Sequence, residues 1–340
     1  MTSRERVLAT LKFQTTDHVP YGLAEGRIWP QLCDYFLEEH ELKDKDEISN
    51  FLDMDFRWIE PDSPEQRAFA LTKKDLEVFD FSNGPLSSAI TVGDVDRLYP
   101  INVPQFDCVD FKSFREKWPN HAIVLNSLAI PYFWASCMQF GATEVFYKIH
   151  DYPEVYEALL QRMEVGSKAI IVNFLENAKD YIDIVSIWDD FAGQNGMMVD
   201  PSWWRKVLKP YYKREVELIH NYGKKVFFHS CGAVRPILGD LIEIGVDALT
   251  VFQVNAKGMD PKSIAKDFGG KLCFYGGIDV QHLLSYGSPE EVEAQVKYNI
   301  DCFRDYGGYI IANCHTICTI KERNILTMCQ TAKSYVTTHP

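Results

Sequence analysis

The residues best suited to chemistry are His229 and Cys231, two apart at the end of the run Val226-Phe227-Phe228-His229-Ser230-Cys231-Gly232. Apolar residues in a row, then a polar tip and a glycine, read as a buried parallel strand reaching its loop. Residues two apart in an extended chain share a face, so the imidazole and the thiol point the same way. Imidazole nitrogen and thiolate sulfur are preferred zinc ligands, and such a pair needs only a third donor. A structural pair is the alternative, because buried cysteine is also a common small hydrophobe. Tyr309-Ile310-Ile311-Ala312-Asn313-Cys314-His315 forms a second tip of this kind. Cys314 is the expected third metal ligand and His315 its alternative, since adjacent strand residues face opposite ways. Three protein ligands leave one coordination position open, as in catalytic zinc sites. Two thiolates and an imidazole bring such a site near neutrality and favour a substrate thiol bound as thiolate.

Further candidates sit at other strand ends. Trp188-Asp189-Asp190 closes a strand with two carboxylates, one of which either caps the next turn or orients a ligand or a metal-bound imidazole. Asp189, Glu25 and Gln253 are the candidates for catalytic work, with Glu25 and Arg27 otherwise reading as solvated loop charges. Tyr132, Trp188 and Asn195 are the candidates to contact a bound cofactor. Tyr132-Phe133-Trp134 and Trp203-Trp204 also read as core or rim packing, although aromatic residues after a strand suit a substrate with apolar surface. Asp279, after Gly276-Gly277, reads as a cap for the next helix.

The elements that must position these residues alternate. Strands are expected over 19–24, 122–128, 181–187, 225–229, 248–252, 272–275 and 309–313. Helical patterns cover 2–13, 30–60, 141–149, 153–178, 201–221 (broken near Pro210), 234–244, 261–268 and 289–305. Such alternation calls for a parallel sheet with right-handed crossovers. The expected fold is a (β/α)8 TIM barrel filling residues 1–340 as one domain, with an elaboration near 61–115 that includes a strand-like run Leu76–Phe81. Polar residues gather at the carboxyl ends of its strands, the catalytic rim of such barrels.

Composition narrows the partners. Hydrophobic content of 46% and charged content of 24% are ordinary for a globular chain. A net charge of −13 argues against nucleic acid or an anionic membrane surface as partner. The polar start Met-Thr-Ser-Arg-Glu-Arg lacks a signal peptide's apolar core, and no long apolar run suggests a membrane span. Nine irregularly spaced cysteines read as reduced thiols, so the expected location is cytoplasmic.

His229-Ser230-Cys231-Gly232, Asp240 to Asp247, Tyr275-Gly276-Gly277-Ile278-Asp279 and Gly307-Gly308-Tyr309-Ile310 together resemble the uroporphyrinogen decarboxylase superfamily. Arg4-Glu5-Arg6-Val7-Leu8 and Asp17-His18-Val19-Pro20 are similar to its opening. The resemblance implies a (β/α)8 barrel with its site at the strands' carboxyl ends. True decarboxylases of that superfamily hold substrate carboxylates with an arginine-rich segment. The corresponding Gly22-Leu23-Ala24-Glu25-Gly26-Arg27 carries a single arginine beside a glutamate, which disfavours decarboxylation. The other branch comprises zinc-dependent corrinoid methyltransferases whose His-x-Cys and later Cys match His229, Cys231 and Cys314. The later cysteine usually follows glycine there, whereas Asn313-Cys314-His315 stands here, and a one-residue shift puts His315 on the metal. Thr250-Val251-Phe252-Gln253 looks closer to relatives in methyl-ether and methylamine demethylating systems than to coenzyme M enzymes. The resemblance thus implies Zn2+ and methylcobalamin as cofactors, the corrinoid being carried by a partner protein. A small thiol, folate or methylated O-methyl or N-methyl compound is implied as methyl donor or acceptor. A homodimer is left open. The rival readings are a decarboxylase-like lyase without metal and a non-catalytic barrel that docks a corrinoid protein.

Overall fold

Alternation along each strand decides which side chains meet. The computed structural model describes residues 1–24, 30–60, 83–99, 109–126, 128–315 and 321–335. Strands β1 (Phe56–Ile59), β2 (Ala122–Leu125), β3 (Ile184–Trp188), β6 (Lys225–His229), β7 (Ala248–Phe252), β8 (Cys273–Ile278) and β9 (Tyr309–Asn313) form one seven-stranded parallel sheet in that order. The short antiparallel strands β4 (Ala192–Gly193) and β5 (Gly196–Met197) form a hairpin after β3. On the inner side of the curled sheet, Phe56, Val124, Ile184, Phe227, Ala248, Tyr275 and Ile310 form one apolar cluster. Helix α1 (Ser3–Thr10) closes it from below with Val7, and Leu11 follows. Neighbours of the opposite parity, such as Val226, Phe228 and Leu249, face outward into a larger core shared with the helices.

The outer layer is α2 (Pro30–Glu39), α3 (Lys45–Phe51), α4 (Val92–Leu98), α5 (Phe111–Lys117), α6 (Tyr132–Phe140), α7 (Glu144–Asp151), α8 (Pro153–Ala178), α9 (Pro201–Val207) and α10 (Lys209–Asn221). After β6 come α11 (Leu238–Glu243), α12 (Pro261–Phe268), α13 (Leu283–Tyr286), α14 (Pro289–Phe303) and α15 (Glu322–Ser334). Pro210 falls in the first turn of α10 and marks the break expected in 201–221. Among the described residues, no helix is long and apolar enough to cross a membrane.

Three of the structure's departures from the sequence expectation bear on the frame of the sheet and its rim. Instead of an eighth strand over 19–24, Tyr21 makes an isolated parallel bridge to Ile311. Gly22 N–H donates to Ile311 O and Asp55 N–H to Tyr21 O, so this segment bridges the two edge strands. Pro20 has no N–H to extend the ladder. Within 30–60, expected to be helical, Asp53 at φ +52° follows α3 and the chain turns into the four-residue strand β1. Residues 132–140 form helix α6, which the expectation lacked; eight of its nine residues are buried, so it carries no polar stripe to announce it. Glu25, Arg27 and the run Leu76–Phe81 lie outside the described residues.

At the amino ends of the strands, aspartates set the register. Asp55, Asp183 and Asp247 each stand one residue before a strand and accept a backbone N–H from the neighbouring stave: Tyr21 at 2.9 Å, Ile123 at 3.0 Å and Val226 at 2.8 Å. Each also holds a cation: Arg6 for Asp55, Arg4 and Arg115 for Asp183, Lys225 for Asp247.

Candidate metal centre

In β6, Phe227 lies in the inner cluster and His229, two residues on, shares its face. His229 is buried, and its Nε2 stands 3.5 Å from Cys231 Sγ. Gly232 then turns the chain at φ +82°; a Cβ there would sit 2.5 Å from Ala192 O and 2.6 Å from Gly193 O. The missing side chain lets the β4–β5 hairpin lie directly on the loop, where Ala233 N–H donates to Gly193 O. Gln253 Oε1 accepts the Gly232 N–H at 2.9 Å and holds the loop from β7.

A further residue with a donor atom stands just after β3. Trp188 pairs in register with His229, so Asp190, two further on, projects toward the same side. Its Oδ1 accepts the Cys231 N–H at 2.8 Å and lies 3.7 Å from His229 Nε2. Ligand atoms of Asp190, His229 and Cys231 all fall within 4.8 Å of one another. An imidazole nitrogen, a sulfur and a carboxylate oxygen are a donor set suited to zinc.

Cys314 and His315 divide as adjacent residues should. Cys314 is buried, its thiol donates to Phe252 O at 3.1 Å, and burial pushes its pKa up to about 12. It is not among the three converging residues. His315 hydrogen-bonds Cys231, and that bond raises the imidazole pKa. Burial pushes the Cys231 thiol upward, but His229 and the bonds from His229 and His315 outweigh it and leave the pKa below its ordinary value. A thiol so placed is readily deprotonated for a cation.

The two carboxylates ending β3 take different work. Asp189 is fully buried and accepts Phe133 N–H at 2.6 Å, Trp134 N–H at 2.8 Å and the Tyr212 hydroxyl. It caps the first turn of α6 from another strand, while burial lifts its pKa to about 7. Tyr132 is fully buried, and its hydroxyl donates to Glu215 at 2.7 Å. Trp188 is half-buried with its ring 6.3 Å from Trp134. Asn195 is exposed at the tip of the β4–β5 hairpin, and the neighbouring Gln194 hydrogen-bonds Gln281. Asp279 accepts Gln281 N–H and His282 N–H, capping the turn before α13. The structure thus brings His229, Cys231, Gln253 and His315 together with Asp190. It places Asp189 and Tyr132 in the core behind them. Asp190 was recoverable by carrying the two-residue parity used for His229 and Cys231 over to Trp188.

Comparison with known proteins adds three findings. The family model described as uroporphyrinogen decarboxylase (URO-D) matches residues 91–335. The chain is 24% identical over 224 residues to the methylcobamide:CoM methyltransferase MtbA of Methanosarcina mazei, a match covering 66% of this chain and 62% of that relative's length. A solved methyltransferase from Methanosarcina mazei superposes with a TM-score of 0.70 at 17% identity, covering 98% of each chain, which shows a shared fold.

Proposed function

We propose that this chain, which belongs to the uroporphyrinogen decarboxylase family, is a zinc-dependent methyltransferase working with a corrinoid carried by a partner protein. The observation that carries the reading is the convergence of Asp190, His229 and Cys231 within 4.8 Å at the carboxyl ends of adjacent strands. The likeness to a methylcobamide:CoM methyltransferase supports the reaction class. Charge supports the metal. Among the described residues in the first two positions after each of the seven strands there is no lysine or arginine, whereas Glu60, Asp189, Asp190 and Asp279 are acidic. Two anionic donors and a neutral imidazole match the charge of Zn2+, which supplies a Lewis acid for a thiol or a methyl-bearing heteroatom.

The chain's own residues would do the rest. Asp190 and Gln253 fix the loop through the Cys231 and Gly232 amides, so the thiolate and imidazole are aimed before any ligand arrives. Trp134 and Trp188 lend an apolar wall beside β3. His315, bonded to Cys231 and exposed at the mouth, is placed to receive a proton from an incoming thiol. With methylcobalamin as donor, the methyl group would pass to the thiolate sulfur while the electron pair of its bond to cobalt would stay on the corrinoid. Holding both partners in line at the mouth supplies much of the rate. A decarboxylase, suggested by the family's name, would need cations for substrate carboxylates, which the described strand ends do not carry.

Purified protein is expected to hold about one zinc per chain. It should demethylate methylcobalamin with at least one member of a panel of thiols, folates and, in reverse, methyl ethers. Cys231→Ala should lose both metal and activity. Wild-type protein that transfers methyl groups without metal would overturn the zinc assignment. A metal-replete protein inert across the panel would overturn the reaction.

A further inference from the structure

We infer that Tyr212 is a positioning residue for this centre, acting from behind the sheet through Asp189; the inference rests on the metal reading of Asp190, His229 and Cys231. Tyr212 lies on α10 and is fully buried. Its hydroxyl donates to the Asp189 carboxylate, the residue before Asp190. Its ring meets Phe191, just after Asp190, at 6.4 Å between centroids, and Phe228, just before His229, at 5.1 Å. One side chain therefore touches both segments that bring donors to the centre. Asp190 in turn grips the Cys231 amide, which ties the third donor to the same support.

The surroundings make the hydroxyl matter beyond packing. The hydrogen bonds recorded to Asp189 come from two amides and this phenol, with no lysine or arginine among them. Behind it, Trp204 stacks on Tyr212 at 6.0 Å and Tyr132 packs edge-on at 5.4 Å, its own hydroxyl committed to Glu215. The neighbouring Tyr132 phenol is therefore not free to replace that of Tyr212. Loss of one donor from a carboxylate sealed away from water leaves β3's tip to shift toward another partner. Asp190 is the next residue and must follow. Outer groups that orient metal ligands typically change affinity 10–100-fold.

The test compares Tyr212→Phe with Tyr211→Phe, which removes the next hydroxyl along α10, bonded to Glu157 of α8. Co2+ titration of metal-free protein, read by the sulfur-to-cobalt charge-transfer band, should show about tenfold weaker binding and a shifted band for Tyr212→Phe alone. Unchanged affinity and band in Tyr212→Phe would overturn the inference. So would equal changes in both variants that follow their loss of thermal stability. If wild-type protein itself takes no Co2+, the metal reading falls, and positioning is read instead from hydrogen exchange of the Cys231 amide. That amide should exchange about tenfold faster in Tyr212→Phe and at the wild-type rate in Tyr211→Phe, in line with the loss of one supporting hydrogen bond; equal exchange in all three proteins overturns positioning.

Discussion

The two ends of the strands use the same residue for opposite purposes. At the amino ends, Asp55, Asp183 and Asp247 each take one backbone N–H from the next stave and add a basic side chain. At the carboxyl ends, Asp189 and Asp190 also accept backbone N–H groups, from Phe133, Trp134 and Cys231, but among the described residues just after the strands there is no lysine or arginine. Pairing makes the lower carboxylates locks. With no lysine or arginine among the described residues there, negative charge converges on the space between Asp190, His229 and Cys231. What separates the aspartates of the two ends is the countercharge supplied by the chain, not the residue or its backbone bond.

If the lower end is a lock, breaking it should cost stability and leave metal binding alone. Asp183 is the best place to try, because its carboxylate joins Arg4, Arg115 and the Ile123 amide and is nearly fully buried. Asp183→Ala leaves the mostly buried Arg115 guanidinium without its countercharge and should destabilise the fold by about 3–5 kcal/mol in urea titration. Co2+ affinity measured well below the midpoint should stay within about twofold of wild type, since sites this far apart behave independently. A large loss of affinity in folded protein would break the comparison.

The upper end should show the reverse response to charge. Glu215 is fully buried behind β3 and accepts from Tyr132 and Ser167, and burial lifts its pKa to about 8. The folded state therefore binds this proton more tightly than the unfolded chain. Its stabilising share is complete below the unfolded carboxyl value near pH 4 and is lost as pH rises toward about 8. Glu215→Gln keeps an acceptor for both hydroxyls and cannot ionise. It should gain about 1–3 kcal/mol over wild type at pH 8 and little at pH 5, by chemical denaturation at both values. A variant less stable than wild type at pH 8 would mean the carboxylate is needed as an anion.

Legibility in the sequence followed how local each signal was. Strands 225–229, 248–252 and 309–313 and helix 261–268 match their elements residue for residue, because an apolar run and a helical spacing are local features. Helix α6 was not legible, because Asp189, fifty-five residues downstream of Trp134, caps it through space while Pro131 stands at its own N-cap. The His229–Cys231 pair was visible as a two-residue spacing on one strand. Which of Asp189 and Asp190 faces it, and which of Cys314 and His315 turns toward Cys231, depends on the last residue of strand register. A chain leaving its strand settles that by tertiary contacts such as the Cys314 thiol on Phe252 O. The amino-end aspartates went unread, because an aspartate before an apolar run looks like any turn residue until its partner strand is known.

The smallest expected effect tests the lower end's pH signature. Asp247 is partly buried, yet bonds from His220, Lys225 and the Val226 amide outweigh that burial and hold its pKa below the ordinary carboxylate value. A depressed folded pKa contributes stability that is fully present above the unfolded value near 4 and is lost as pH falls through the folded one. Asp247→Asn keeps an acceptor for the amide but turns away the charge from Lys225 and His220, both about a third exposed. Solvent weakens those pairs, so the variant should lose only about 1 kcal/mol at pH 7. The gap between variant and wild type should close as pH falls below about 4, whereas the gap for Glu215→Gln opens as pH rises above it. Parallel pH profiles for the two variants would erase the distinction between the ends, because both would then report global charge rather than paired and unpaired carboxylates.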